Sequence, residues 1–198
     1  MPELPEVEVV KKSLRKNIHD LTIKNIEIRN KYLRYIIDEK LMKKMIKSKV
    51  LSVNRRSKYI FINLNNKFTI MVHLGMTGKI NIIDANKDKH KTSFYYKIND
   101  IKPDHDHLIF KFSKNISFAY NDVRKFGFVK IFKTNEIQLN SHLQKLGPEP
   151  LSKKFNLNYF KENTKKRKVF LKDLLMNQKF VAGLGNIYAN EAIFKAKL

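Results

Sequence analysis

KYIFINLNNKFTIMVHL, residues 58–74, holds two apolar runs on either side of Asn65 and Asn66. β-Branched and aromatic residues dominate both runs, and an asparagine pair is turn chemistry, so the stretch predicts an antiparallel hairpin. Working outward, VLSV from Val50 adds a strand in front, while LIFKF, ISFAY and FGFVKIF form a second group that ends at Phe132. Between the groups, ANKDKHK (85–91) reads as a polar loop and the Pro103 region as another break. Strands spaced this closely predict hairpins folded into a sandwich or a barrel-like pair of layers.

Helical patterns flank this β region. Pro5 suits a first helical turn, Glu6 and Glu8 sit near the positive end of the dipole, and Val7, Val10, Leu14 and Ile18 recur at helical spacing. One amphipathic helix over Pro5–Ile18 follows, then a strand over Leu21–Ile28 and a short helix over Leu41–Ile46. After LGPEPLS (146–152) the pattern turns helical again. VFLKDLLMN places Leu171, Leu174 and Leu175 on one face, and NIYANEAIFKAK begins after Gly183 and Gly185, with Asn186 as its expected N-cap. The fold class is therefore α+β: a β-rich domain with a leading helix, residues 1–134, and a helical domain, 135–198, with the boundary region at about 135–150.

Lys and Arg number 41 against 18 Asp and Glu, a formal net charge of +23, and residues 151–198 alone carry 11 basic against 3 acidic side chains. Part of that excess matches the Lys, Asn and Ile bias of an A+T-rich genome; the rest favours a polyanionic partner, nucleic acid before an anionic membrane. No run approaches the roughly 18 apolar residues of a membrane span, and the first residues lack a signal-peptide pattern, so the expectation is a soluble, intracellular protein. There is no cysteine, hence no disulfide framework and no thiolate zinc site.

Six segments could carry chemistry. If Met1 is trimmed, Pro2 presents a secondary amine whose pKa near ~8 leaves a useful fraction uncharged, with Glu3 beside it to move protons; equally, both residues are a helix approach. In RRSKYIF, Lys58 could donate a proton or hold a phosphate, or be one more basic residue at a strand start. HLGMTGK places Met76 between Gly75 and Gly78, a base-stack wedge or an ordinary hairpin turn. NDVRKFG pairs Arg124 and Phe126 on one side of an extended segment, fit to fill the hole left by an extruded base or to pair across a sheet. DHDHLIF puts His105 and His107 on one strand face, and polar contacts are favoured over a metal. Finally KKRK (165–168), followed by the glycine turn and Asn186, makes an anion site at a helix N-terminus.

Taken in order, PELPEVE, RRSKY, HLGMTG, HDH, DVRKFG, LGPEPLS and VAGLGNIYANEA closely resemble the formamidopyrimidine-DNA glycosylase family over nearly the whole chain. PELPE points to its oxidised-purine branch, since the endonuclease VIII branch usually begins PEGPE. The resemblance implies a β-sandwich followed by a helix-two-turn-helix domain, and a monomer acting on 8-oxoguanine and formamidopyrimidines in duplex DNA in the bacterial cytoplasm and nucleoid. It implies glycosylase and abasic-site lyase activity, with Pro2 attacking the deoxyribose C1′ to form a Schiff base. Glu3 becomes acid and base near the sugar, Glu6 a supporting acid, and Lys58 the proton donor for β-elimination. Met76, Arg124 and Phe126 become the wedge, and His73, His105, Arg124, Arg167, Lys172 and Asn186 the DNA contacts.

Departures from the family accompany this reading. Members run on for some seventy residues to a zinc finger with four cysteines, so no cofactor is expected within this chain, and a truncated product with impaired DNA binding is the alternative to an active enzyme. Asn177 also stands where Asp is common. A small tautomerase with an N-terminal proline base is a third reading, although such chains are far shorter and need no +23 charge.

Overall fold

The computed structural model describes residues 2–165 and 167–198; Met1, and Lys166 of the KKRK run, lie outside them. The chain divides into two units, Met1–Ile137 and Gln138–Leu198.

The first unit opens with α1 (Leu4–Ile18), whose buried positions Val7, Val10, Leu14 and Ile18 are those of the helical stripe. It continues through β1 (Ile23–Ile28), α2 (Glu39–Lys43), β2 (Val50–Arg56), β3 (Tyr59–Leu64), β4 (Phe68–His73), β5 (Lys79–Ile83), β6 (Lys89–Lys91), β7 (Asp106–Phe112), β8 (Ser117–Asn121) and β9 (Phe128–Lys133). These strands form two antiparallel sheets, β1-β7-β8-β5-β6 and β2-β3-β4-β9. The 58–74 stretch is the β3–β4 hairpin, in register from Tyr59↔His73 to Asn63↔Thr69. Between the sheets Ile60, Ile62, Ile70 and Val72 meet Ile80, Ile82, Leu108, Phe110 and Phe118, and the stripe of α1 closes the same core. Strands of both sheets, the exposed β6 aside, thus send side chains into one core, the burial that favours this arrangement over an open sheet.

Several local expectations are corrected. Strand β6 lies inside the ANKDKHK segment, because Asp84 Oδ1 accepts from the backbone N–H groups of Asn86 and Asp88, turning the chain so that Ile83 pairs with Lys89. The short helix begins at Glu39, two residues before Leu41, because the Asp38 carboxylate caps it by accepting from Leu41 N–H at 2.9 Å. HLGMTGK is no hairpin turn: β4 and β5 belong to different sheets, so the Met76 loop crosses between layers. His105 and His107 do not share a strand face, since His105 ends a 3₁₀ turn (Pro103–His105) whereas His107 is buried within β7. Arg124 and Phe126 lie in a turn, with Lys125 at φ 56°, rather than in an extended segment.

The second unit contains α3 (Ser141–Gln144), α4 (Leu157–Thr164), α5 (Leu171–Met176) and α6 (Asn186–Lys195). Its small core joins Leu174, Leu175, Phe180, Val181 and Ala189, with Phe155, Tyr159 and Phe160 packed against them. Gly185, not Asn186, is the N-cap of α6: the Gly185 carbonyl accepts the first helical bond from Ala189 N–H at 3.0 Å, which leaves Asn186 as the exposed first helical residue. Among the described residues no helix is long and apolar enough to cross a membrane.

Candidate functional site

Pro2 is buried immediately before α1, and Glu3 is that helix's N-cap. Glu3 and Glu6 cap each other: the Glu3 carboxylate accepts from the Glu6 backbone, and Glu6 Oε2 accepts from Glu3 N–H at 2.9 Å. Both carboxylates are buried, Glu3 to 2 % exposure. Lys58 reaches the same place from the two-residue turn between β2 and β3, where Ser57 takes φ 53° and Lys58 is only 7 % exposed. Burial holds its ammonium below the ordinary lysine value, while the charges of Glu3 and Glu6 draw it back up. Arg55 fixes this turn, donating from Nη1 to Ser57 O at 2.8 Å and from Nε to Glu8 Oε2 on α1 at 2.7 Å. A buried amine and two buried carboxylates are therefore coupled at the start of α1, the helix that Pro2 precedes, an arrangement able to shuttle protons at low dielectric.

A second cluster lies in the same unit. An open cleft of about 610 Å³ is lined by Arg34, His73, Gly75, Met76, Arg124, Lys125 and Phe126. Met76 and Phe126 stand 42 % and 45 % exposed, large apolar groups held out in solvent, and the Arg124 guanidinium lies 4.4 Å from the centre of the Phe126 ring. His73 ends β4, stacks on Phe128 at 5.3 Å and accepts from Gly75 N–H through Nδ1, which makes Nε2 the N–H of its neutral ring. Three fixed cations and no carboxylate line the cleft, which suits a phosphate backbone. His105 stands beside this cluster, its carbonyl accepting from Asp122 N–H at 3.1 Å.

In the second unit Arg167 is exposed after α4, its guanidinium 6.0 Å from the Phe180 ring; Lys172 lies in the first turn of α5, and Asn186 opens α6. Gln178 staples the glycine turn before α6: its Nε2 donates to Leu184 O at 2.7 Å and its Oε1 accepts from Gly183 N–H at 2.8 Å. Gly183 takes φ 107°, a conformation that side chains resist. The turn leads into the N-terminus of α6, the positive end of the helix dipole.

Residues 1–129 match the formamidopyrimidine-DNA glycosylase N-terminal domain, and residues 146–198 match the formamidopyrimidine-DNA glycosylase H2TH domain. The chain belongs to the formamidopyrimidine-DNA glycosylase family. The formamidopyrimidine-DNA glycosylase of Rickettsia felis is 37% identical over 198 residues, covering 100% of this chain and 67% of its own length. That of Rhodopseudomonas palustris is 34% identical, covering 100% and 68%. Among solved structures, the complex of Lactococcus lactis Fpg with abasic-site DNA superposes with a TM-score of 0.84 at 32% identity, over 99% of this chain and 68% of that one. The same enzyme bound to DNA containing N7-benzyl-Fapy-dG gives 0.84 at 33% identity, over 100% and 68%.

Within the glycosylase family pattern, several residues with structural claims on the site escape sequence reading. Asp122 is fully buried and accepts from Thr77 Oγ1 at 2.5 Å and Gly127 N–H at 2.8 Å, with Tyr120 Oη at 3.4 Å. Tyr95 donates to Gly78 O at 2.7 Å at the foot of the Met76 loop; burial, then Tyr96, Asp122 and Glu6, raise its pKa well above the ordinary tyrosine value. The available signal was the dense run TSFYY (92–96) between polar segments. Asn177 makes the bond an Asp would make, accepting from Lys179 N–H at 3.0 Å through Oδ1, so the turn survives that departure from the family. The family's zinc finger needs four thiolates; this chain has no cysteine, and among the described residues no three His, Asp or Glu side chains converge, so nothing here fits that zinc.

Proposed function

We propose that this chain excises oxidised purines, 8-oxoguanine and formamidopyrimidines, from duplex DNA and then cleaves the abasic strand. The observation that carries the reading is the coupling of buried Lys58 to the buried carboxylates Glu3 and Glu6, at the helix start that Pro2 precedes. With Met1 removed, the Pro2 nitrogen forms a bond to C1′ as the glycosidic C–N bond breaks, the base leaving with a proton and the amine losing its own. Opening of the sugar, in which Glu3 gives a proton to O4′ as the C1′–O4′ bond breaks, yields an iminium ion, a sink that acidifies the C2′ hydrogens. Glu3 takes one of them, and the C3′–O bond breaks. Lys58, its ammonium destabilised by burial, gives up a proton readily to the oxygen being expelled.

Met76, Arg124 and Phe126 fill the space vacated by the flipped nucleotide. His73, His105, Arg167, Lys172 and Asn186 hold the backbone, the last through the N-terminus of α6. A monomer working in the bacterial cytoplasm, at the nucleoid, fits this role. Incubating the chain with an 8-oxoguanine duplex and borohydride should trap a covalent adduct that Pro2→Gly abolishes. Absence of an adduct at any protein concentration refutes the catalytic reading, and salt-sensitive DNA binding without cleavage in the same samples leaves a DNA-binding module.

A further inference from the structure

Met76 and the Arg124–Phe126 pair come from loops far apart in the chain, yet both must enter one gap. A directed series of hydrogen bonds joins them. Arg124 N–H donates to Thr77 Oγ1 at 3.1 Å, and Thr77 spends its single proton on Asp122 Oδ1 at 2.5 Å. On the far side, Asp122 Oδ2 accepts from Gly127 N–H at 2.8 Å, and Tyr120 Oη, whose one proton is shared with His73 O at 3.2 Å, lies 3.4 Å away. Asp122 is itself pinned: its N–H donates to His105 O at 3.1 Å, and its carbonyl accepts from His107 Nε2 at 2.8 Å.

We infer that Thr77 and Asp122 form a latch that locks the two wedge loops into one rigid body before DNA arrives, and that this latch governs base displacement rather than bond cleavage. The inference rests on the glycosylase reading above. Both are positioning residues, acting through the loops they join. A wedge already in its working shape has little freedom left to lose when it enters a base stack, so ordering costs are met on folding rather than at the displacement step. Donor and acceptor logic makes the pair specific. Serine preserves both bonds of Thr77; valine keeps its shape and loses both. An asparagine at 122 must keep its oxygen toward Gly127 N–H, which turns its NH₂ toward Thr77, and the threonine proton then has no acceptor.

The test compares single-turnover excision of 8-oxoguanine by the full chain from two substrates. One is fully paired; in the other the opposite nucleotide is deleted, so the lesion is already bulged out. Thr77→Val and Asp122→Asn should slow the paired substrate about tenfold, the effect of roughly one lost hydrogen bond. The bulged substrate should slow less than twofold, and Thr77→Ser should stay within twofold of wild type on both. Equal slowing on the two substrates, no slowing on either, or serine behaving as valine overturns the latch. If the wild-type chain excises from neither substrate, the glycosylase reading itself falls and the latch with it. Thermal melts establish that each variant is folded at the assay temperature, and Thr77→Val, which conserves volume at a half-buried site, decides the matter should Asp122→Asn prove unstable.

Discussion

Substituting Gly127 by alanine probes the packing that backs the wedge. An added Cβ would stand 2.0 Å from Tyr120 Oη, 2.5 Å from His73 O and 3.0 Å from Leu74 C. Two of these atoms are backbone, and the Tyr120 ring is fully buried, so no flexible side chain can swing clear. Overpacking of this kind costs about 1–3 kcal/mol. Driving the Tyr120 hydroxyl off His73 O, to which it donates at 3.2 Å, adds about 1 kcal/mol. Together they come to about 2–4 kcal/mol, or roughly 4–16 °C in Tm for a chain of this size. Circular dichroism melts of Gly127→Ala, Tyr120→Phe and the double variant form a cycle. Removing the hydroxyl should recover at least about 1 kcal/mol in the alanine background while costing about that much alone. A Gly127→Ala melt within about 1 °C of wild type would refute the account, since it would mean the wedge platform yields freely.

Lys58 carries a pH signature. A proton donor acts while protonated, and burial lowers the pKa of this ammonium, so β-elimination on pre-formed abasic DNA should lose rate as pH rises, with its alkaline limb below the ordinary lysine value of 10.5. Lys58→Arg, whose group stays charged throughout, should react more slowly and lack that limb; an unchanged limb would assign it to another group. Arg34 lines the Met76–Phe126 cleft and is exposed, and after burial its charge is what holds the neighbouring Lys130 ammonium down, so it is expected to meet a phosphate. Arg34→Ala should reduce the slope of log K against log salt for duplex binding by about 0.9, and an unaltered slope would remove it from the interface.

The sandwich was legible because residues 58–74 hold two β-branched and aromatic runs on either side of an asparagine turn, and α1 because four apolar residues recur on one stripe. Charged strand β6 has no apolar face to announce it; its pairing depends on the Asp84 turn. Asp122 was invisible for a different reason. An aspartate in a basic loop reads as solvated, and its burial arises only when Thr77 and Tyr120 close around it from other segments. From its residues alone Lys58 read either as a proton donor or phosphate holder or as one more basic residue at a strand start; its burial comes from tertiary packing that a local reading does not carry. Asn186 has the side chain of an N-cap, but helix entry is set by the carbonyl that accepts the first bond, and that carbonyl belongs to Gly185.

The reciprocal cap between Glu3 and Glu6 makes the start of the chain a ruler. Two bonds spaced three residues apart count the helix from Glu3, so the fold fixes where residue 3 stands and, with it, how far Pro2 can reach. One extra residue between Pro2 and Glu3 would leave cap, helix and core in register while carrying the terminal nitrogen outward by about 3.5 Å. The length of that first step, rather than the identity of any side chain, then becomes something selection can act on. If Pro2 is the nucleophile proposed above, its reach to C1′ depends on that count as much as on any residue.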